Sequence, residues 1–178
     1  MILVKPTTTR STKHPLTNLP AGPITLLLVE DDQNVCSCIK ALLESYPRFR
    51  IIGEVHDGLD AVRAAANLSP DVMILDLSIP GLNGLEVARQ VARRCRTTRI
   101  VVLSVHDDDS YVRQALKSHV VGYVTKDCPI HILIEAIDSV VSGKYYLSPS
   151  LTQKVIREYI KKNPKTDDDT DATSKSKK

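Results

Sequence analysis

The sequence predicts an α/β fold, a doubly wound five-stranded parallel sheet followed by one extra helix. Three observations predict it. Between Ile24 and Lys162, short aliphatic runs alternate with amphipathic segments of about three turns, the pattern of strands joined by crossover helices. Four of the five runs are almost continuously apolar, as strands covered on both faces are. The chain has 178 residues, 42% hydrophobic and 25% charged, which suits one globular core plus tails and not two cores.

The strands are expected at Ile24 to Val29, Ile51 to Val55, Val72 to Leu75, Ile100 to Leu103 and Val120 to Thr125. Gly53 and Glu54 interrupt the second, which therefore reads as an edge. After the first strand, Val35, Ile39, Leu42 and Leu43 recur at helical spacing. Ala61, Ala64, Ala65 and Leu68 mark the second helix, and Leu85, Ala88, Val91 and Ala92 the third. Val112, Ala115 and Leu116 mark a fourth, with Asp107 to Asp109 at its start, where carboxylates complement the helix dipole. Ile130, Leu133, Ile134, Ile137 and Val141 mark a fifth, ended by Gly143. A last helix begins near Ser148-Pro149 and is stopped by Asn163-Pro164.

The parts expected are thus a disordered leader over 1–23, a folded domain over 24–142, a linker with its helix over 143–162 and a disordered polar tail over 163–178. The net charge of +3 comes from residues 1–23 and 161–178, because between them lie 15 basic and 17 acidic groups. Clustered basic residues occur only from Arg89 to Arg99, with the spacing of a solvated helix end, so no nucleic acid is expected on this chain alone. No apolar stretch approaches the roughly 20 residues of a membrane span. Cys36, Cys38, Cys95 and Cys128 have neither CxxC spacing nor nearby His ligands and read as reduced core residues of a cytoplasmic protein. His106 and His119 have no companion at ligand spacing and read as exposed or packed.

The residues that close the strands carry the chemistry. They are Glu30, Asp31 and Asp32 after the first, Asp76 after the third, Ser104 after the fourth and Lys126 after the fifth. A doubly wound sheet binds ligands beyond these carboxyl ends. Carboxylates gathered at one edge repel unless a hard cation sits among them, and all-oxygen donors favour Mg2+ or Mn2+. Ser104 and Lys126 offer the hydroxyl and the ammonium that would hold phosphoryl oxygens opposite such a cation. Asp32 reads as an N-cap, since Gln33 opens a helical period. Taken alone, Tyr123 would be packing and Ser104 a strand-end hydroxyl.

Together these residues resemble the receiver domain of response regulators over about Ile24 to Ser142. Val29-Glu30-Asp31-Asp32 resembles the acidic pair, Asp76 to Gly84 the phosphoacceptor loop, Leu103-Ser104 the switch hydroxyl and Gly122 to Asp127 the final strand. Gly122-Tyr123, Lys126-Asp127 and Tyr146-Leu147-Ser148-Pro149 resemble the NarL/FixJ (LuxR-type) subfamily. The resemblance implies a flavodoxin-like (CheY-like) fold and a phosphorylation-activated switch of two-component signalling, not a dedicated enzyme. It implies that Asp76 accepts a phosphoryl group from a sensor histidine kinase, becoming a 4-aspartylphosphate. Asp31, Asp76 and the backbone carbonyl of Ser78 would coordinate Mg2+, with Glu30 acting through water. Lys126 would pair with Asp76 at rest and with the phosphoryl group afterwards, Ser104 would close onto a phosphoryl oxygen, and Tyr123 would swing inward. Pairing into a homodimer, slow self-dephosphorylation and a role in transcription regulation follow from the same resemblance.

The chain departs from that pattern in three places. Val105 follows Ser104 where a small residue is usual, Ser118-His119-Val120-Val121 replaces a Gly and Ala turn, and no apolar period after Ile160 announces the subfamily's helix-turn-helix output domain. Two other functions compete. A magnesium-dependent phosphatase of the haloacid dehalogenase class would call for Asp-x-Asp, and Asp76-Leu77-Ser78 lacks the second acid. A flavodoxin-type cofactor binder would want a phosphate-cradling loop after the first strand, where this chain has carboxylates.

Overall fold

The computed structural model describes residues 22–162; the expected tail, and all but the end of the expected leader, lie outside them. In chain order the elements are β1 (Ile24–Val29), α1 (Gln33–Glu44), β2 (Phe49–Val55), α2 (Gly58–Leu68), β3 (Val72–Leu75), α3 (Gly84–Arg94), β4 (Arg99–Ser104), α4 (Asp109–Lys117), β5 (Gly122–Thr125), α5 (Ile130–Val141), β6 (Tyr146–Leu147) and α6 (Pro149–Lys162). The strands run parallel in the order β2-β1-β3-β4-β5-β6, with β2 at one edge.

Successive side chains of a strand point to opposite faces, and the apolar runs therefore serve two cores. Leu26 and Leu28 of β1, with Ile74 and Val101, meet Cys36, Ile39 and Leu43 of α1 and Leu133 and Ile137 of α5. Leu27 and Val29, with Met73, Leu75 and Val102, meet the inner faces of α2, α3 and α4. A fully buried Leu or Ile of this kind contributes roughly 1.5–3 kcal/mol. Cys38 is exposed and Cys95 and Cys128 are half-buried, so of the four thiols only Cys36 is a core residue. The others sit on helix flanks or at element ends, which composition cannot distinguish from the core.

The sheet has six strands where the sequence predicts five. A two-residue strand carries no period of its own, and the turn before it creates the pairing. Gly143, at φ +80°, ends α5 in the left-handed conformation, with its N–H on the Val140 carbonyl and the Lys144 N–H on that of Ser139, both at 3.0 Å. The chain then returns beside β5, where the Tyr146 N–H reaches Val121 O and the Ser148 N–H reaches Tyr123 O, each at 2.9 Å. Leu151 of α6 is 1% exposed and packs in the same core as Tyr123. β5 itself begins at Gly122 and not at Val120, because the Val120 N–H still closes α4 on Ala115 O at 3.2 Å and His119 turns the chain at φ +65°.

Candidate functional site

Sheet register brings the strand-closing residues together. β1 and β3 are neighbours with Val29 opposite Leu75, so Glu30 and Asp76 emerge side by side at the point where the connections diverge to opposite faces. β4 and β5 pair Ser104 with Thr125, which sets Lys126 at the same edge. Glu30 and Asp76 are buried and Asp31 is exposed, and one carboxylate oxygen from each lies within 4.8 Å of the others. Lys126 reaches across them, its Nζ 2.7 Å from Asp76 Oδ2 and 2.8 Å from Glu30 Oε2.

The electrostatics follow from that enclosure. Burial is the largest influence on Glu30 and raises its carboxyl above the ordinary range in spite of the Lys126 ammonium. Burial pulls Lys126 downward, yet its bonds to Asp76 and Glu30 outweigh that pull and raise it. One ammonium therefore faces two buried carboxylates, with a third carboxylate beside them. This excess of oxygen donors suits a small divalent cation.

The loop after β3 is shaped to carry Asp76. The Ser78 N–H donates to Asp76 Oδ1 at 3.1 Å and orients the carboxylate. Asn83 caps α3 through the Leu85 N–H at 2.9 Å. At Gly84, a Cβ would stand 2.6 Å from Leu77 Cα and 2.8 Å from Asp76 O, so only glycine lets α3 start against the strand end. Gly81 adopts φ +76°, the left-handed conformation that glycine enters without strain. Asp32 caps α1 by accepting from the Asn34 and Val35 N–H groups at 2.8 and 3.2 Å.

Ser104 is fully buried and accepts from the His106 N–H at 3.3 Å. Tyr123 is wholly buried too, donates to the His106 carbonyl at 2.7 Å, and has its phenol pushed up to about 12 by burial. The ring thus already occupies the inward position. Val105 is 67% exposed beside the buried Ser104.

His106, read from the sequence as exposed or packed, has a larger part in the site than that reading gives it. Its ring stacks on Tyr111 with centroids 4.4 Å apart, and its Nε2 lies 3.2 Å from Ser78 Oγ. The backbone of this one residue holds both Ser104 and Tyr123 while its side chain holds the loop of Asp76. Its place two residues after Ser104 was the only available signal.

Comparison with known proteins agrees with this geometry. The family profile described as "Response regulator receiver domain" matches residues 26–138. Transcriptional regulatory protein DegU of Brevibacillus brevis is 35% identical over 136 residues, covering 76% of this chain and 58% of that protein. Nitrate/nitrite response regulator protein NarL of Escherichia coli (strain K12) is 35% identical over 130 residues, covering 73% and 60%. The chain therefore spans about three fifths of these relatives. A solved two-component response regulator of the LuxR family from Aurantimonas sp. SI85-9A1 superposes with a TM-score of 0.75 at 27% identity, covering 78% of this chain and 99% of that one. Sheet order, the acidic edge and these matches lead to one conclusion: the chain belongs to the response regulator receiver family of two-component signalling, a class activated by phosphorylation, and is homologous to regulators of the LuxR/NarL type.

Proposed function

We propose that this chain is switched by phosphorylation of Asp76, the phosphoryl group coming from the phosphohistidine of a sensor histidine kinase. The observation that carries the reading is the Lys126 ammonium 2.7 Å from Asp76 Oδ2, at an edge where Glu30, Asp31 and Asp76 converge. An Asp76 oxygen forms the new O–P bond as the P–N bond of the donor breaks. The electron pair returns to the imidazole nitrogen, and an acyl phosphate remains on Asp76.

The Ser78 N–H holds the attacking carboxylate in place, and Lys126 is within reach of the new phosphoryl oxygens. The donor set fits Mg2+, with Asp31, Asp76 and the Ser78 backbone carbonyl as direct ligands and Glu30 acting through water. When bound there, the ion would neutralise charge building on the phosphoryl oxygens. Ser104 would exchange its bond from the His106 N–H for one to a phosphoryl oxygen. That exchange would hold Tyr123 inward and bias the face formed by α4 and β5, because phosphorylation adds nearly two charges at one point. Slow hydrolysis of the acyl phosphate would reset the switch.

Action in the cytoplasm is proposed from membership of the receiver family, and no helix among the described residues is long and apolar enough to cross a membrane. Partners are the kinase and a second copy of the chain, and transcription is the process regulated. DNA binding is assigned to no part of the described chain. In the test, the protein with acetyl phosphate and Mg2+ gains one phosphoryl group by intact mass, and Asp76→Asn gains none while keeping its circular dichroism. A wild-type mass that stays unchanged ends this reading.

A further inference from the structure

The arginine cluster between Arg89 and Arg99 plays no part in the phosphorylation edge. Arg93, Arg96 and Arg99 instead line a groove of about 600 Å3 at the opposite edge of the sheet, where β4 and β5 begin. Elsewhere among the described residues Arg48 pairs with Asp138, Arg63 with Asp60, Arg89 with Glu86 and Arg113 with Asp109, while Arg50, Arg94 and Arg157 also lack a carboxylate partner but do not line the groove. Among the described residues, none of the three groove arginines has a carboxylate within 4.0 Å. The helix dipole accounts for Arg93, in the last turn of α3, but not for Arg96 and Arg99, which lie beyond the helix.

Two further observations point to a ligand. His119 lines the same groove from a left-handed backbone at φ +65°, a conformation uncommon outside glycine. That turn adds an imidazole to the three guanidinium groups. At the rim, Tyr145 is 76% exposed and also lines the groove, above a floor that includes Leu116, Val120 and Val121. Guanidinium forks match phosphate oxygens, an open phenol ring stacks on a planar base, and a concavity of this size suits a small ligand.

We infer that this groove binds a nucleotide carrying two or more phosphates, with Arg96 and Arg99 on the phosphates and Tyr145 on the base. A peptide rich in carboxylates would use the arginines and leave the ring idle. The site is independent of phosphorylation at Asp76 and would give the protein a second input.

The test is calorimetry on the full chain without Mg2+, which keeps phosphates away from the carboxylates at the far edge. The probes are ATP, inorganic tripolyphosphate, adenosine and a peptide of residues 165–172. ATP is expected to bind more tightly than the other three. The Arg96→Ala/Arg99→Ala double variant should weaken it by about tenfold or more. Tyr145→Ala should weaken ATP by about fivefold while leaving tripolyphosphate unchanged. His119→Gly should weaken ATP although glycine adopts that backbone readily, and Arg157→Ala, on α6, should change nothing. No binding of ATP, equal binding by the double variant, indifference to Tyr145→Ala, or a peptide that binds more tightly than ATP would each overturn the inference.

Discussion

Lys126 stands between two buried carboxylates, so its removal leaves like charges facing each other in a poorly solvated place. Lys126→Ala should therefore lower stability by about 1–3 kcal/mol, the cost of leaving buried partners unsatisfied, and toward the low end because the ammonium is partly exposed. Urea unfolding with and without Mg2+ checks it: added Mg2+ should restore more stability to the variant than it adds to the wild type. Equal gains would mean that the cation does not share these carboxylates. The phenols give a second residue-scale expectation. Burial pushes both Tyr123 and Tyr146 up to about 12 from 10.0, so the folded state keeps protons that the unfolded chain releases first. Their contribution is whole below pH 10 and is lost as pH rises from about 10 towards 12. The raised Lys126 acts in the same sense, since its stabilisation is present below 10.5 and lost above it. The urea midpoint should fall across this window, and less steeply in Tyr123→Phe; a midpoint that is flat from pH 10 to 12 would refute the assignment.

At the scale of elements, the loop from Asp76 to α3 is held by backbone closeness more than by side chains. Gly84→Ala puts a methyl 2.6 Å from Leu77 Cα and must displace either α3 or the strand end. It should cost about 1–3 kcal/mol and slow phosphorylation by acetyl phosphate, read as the rate of mass gain. An unaltered rate would show that the loop relaxes without moving Asp76. The same contrast explains what could be read from the sequence. β1 and β3 were legible because their apolar runs end abruptly in carboxylates, which gives both the element and the site residue in one pattern. β6 was not, since Tyr146 and Leu147 pair with β5 only because Gly143 turns the chain back. His106 was not legible either. Its contacts with Ser78, Tyr111 and Tyr123 bring its own loop against the loop after β3, α4 and β5, and a loop residue carries no period that announces such partners.

For the molecule as a whole, the question is where the folding unit ends. The pattern of strands and helices sets the domain boundary at residue 142, with 143–162 as a linker carrying a helix, while β6 extends the sheet and Leu151 lies 1% exposed in the core that holds Tyr123. Without β6, the edge of β5 would be open, with Val121 O and Tyr123 O left unpaired. We expect Leu151→Ala to lose about 2–5 kcal/mol, as truncations in a packed core do. Ile156→Ala, on the same helix but 53% exposed, should stay within about 0.5 kcal/mol. Urea midpoints of the two variants decide it. If Leu151→Ala unfolds at the wild-type midpoint, α6 is a linker resting on a domain complete at residue 142; if it falls as expected, the stable receiver includes α6, and movement of β5 on phosphorylation would be carried directly into that helix.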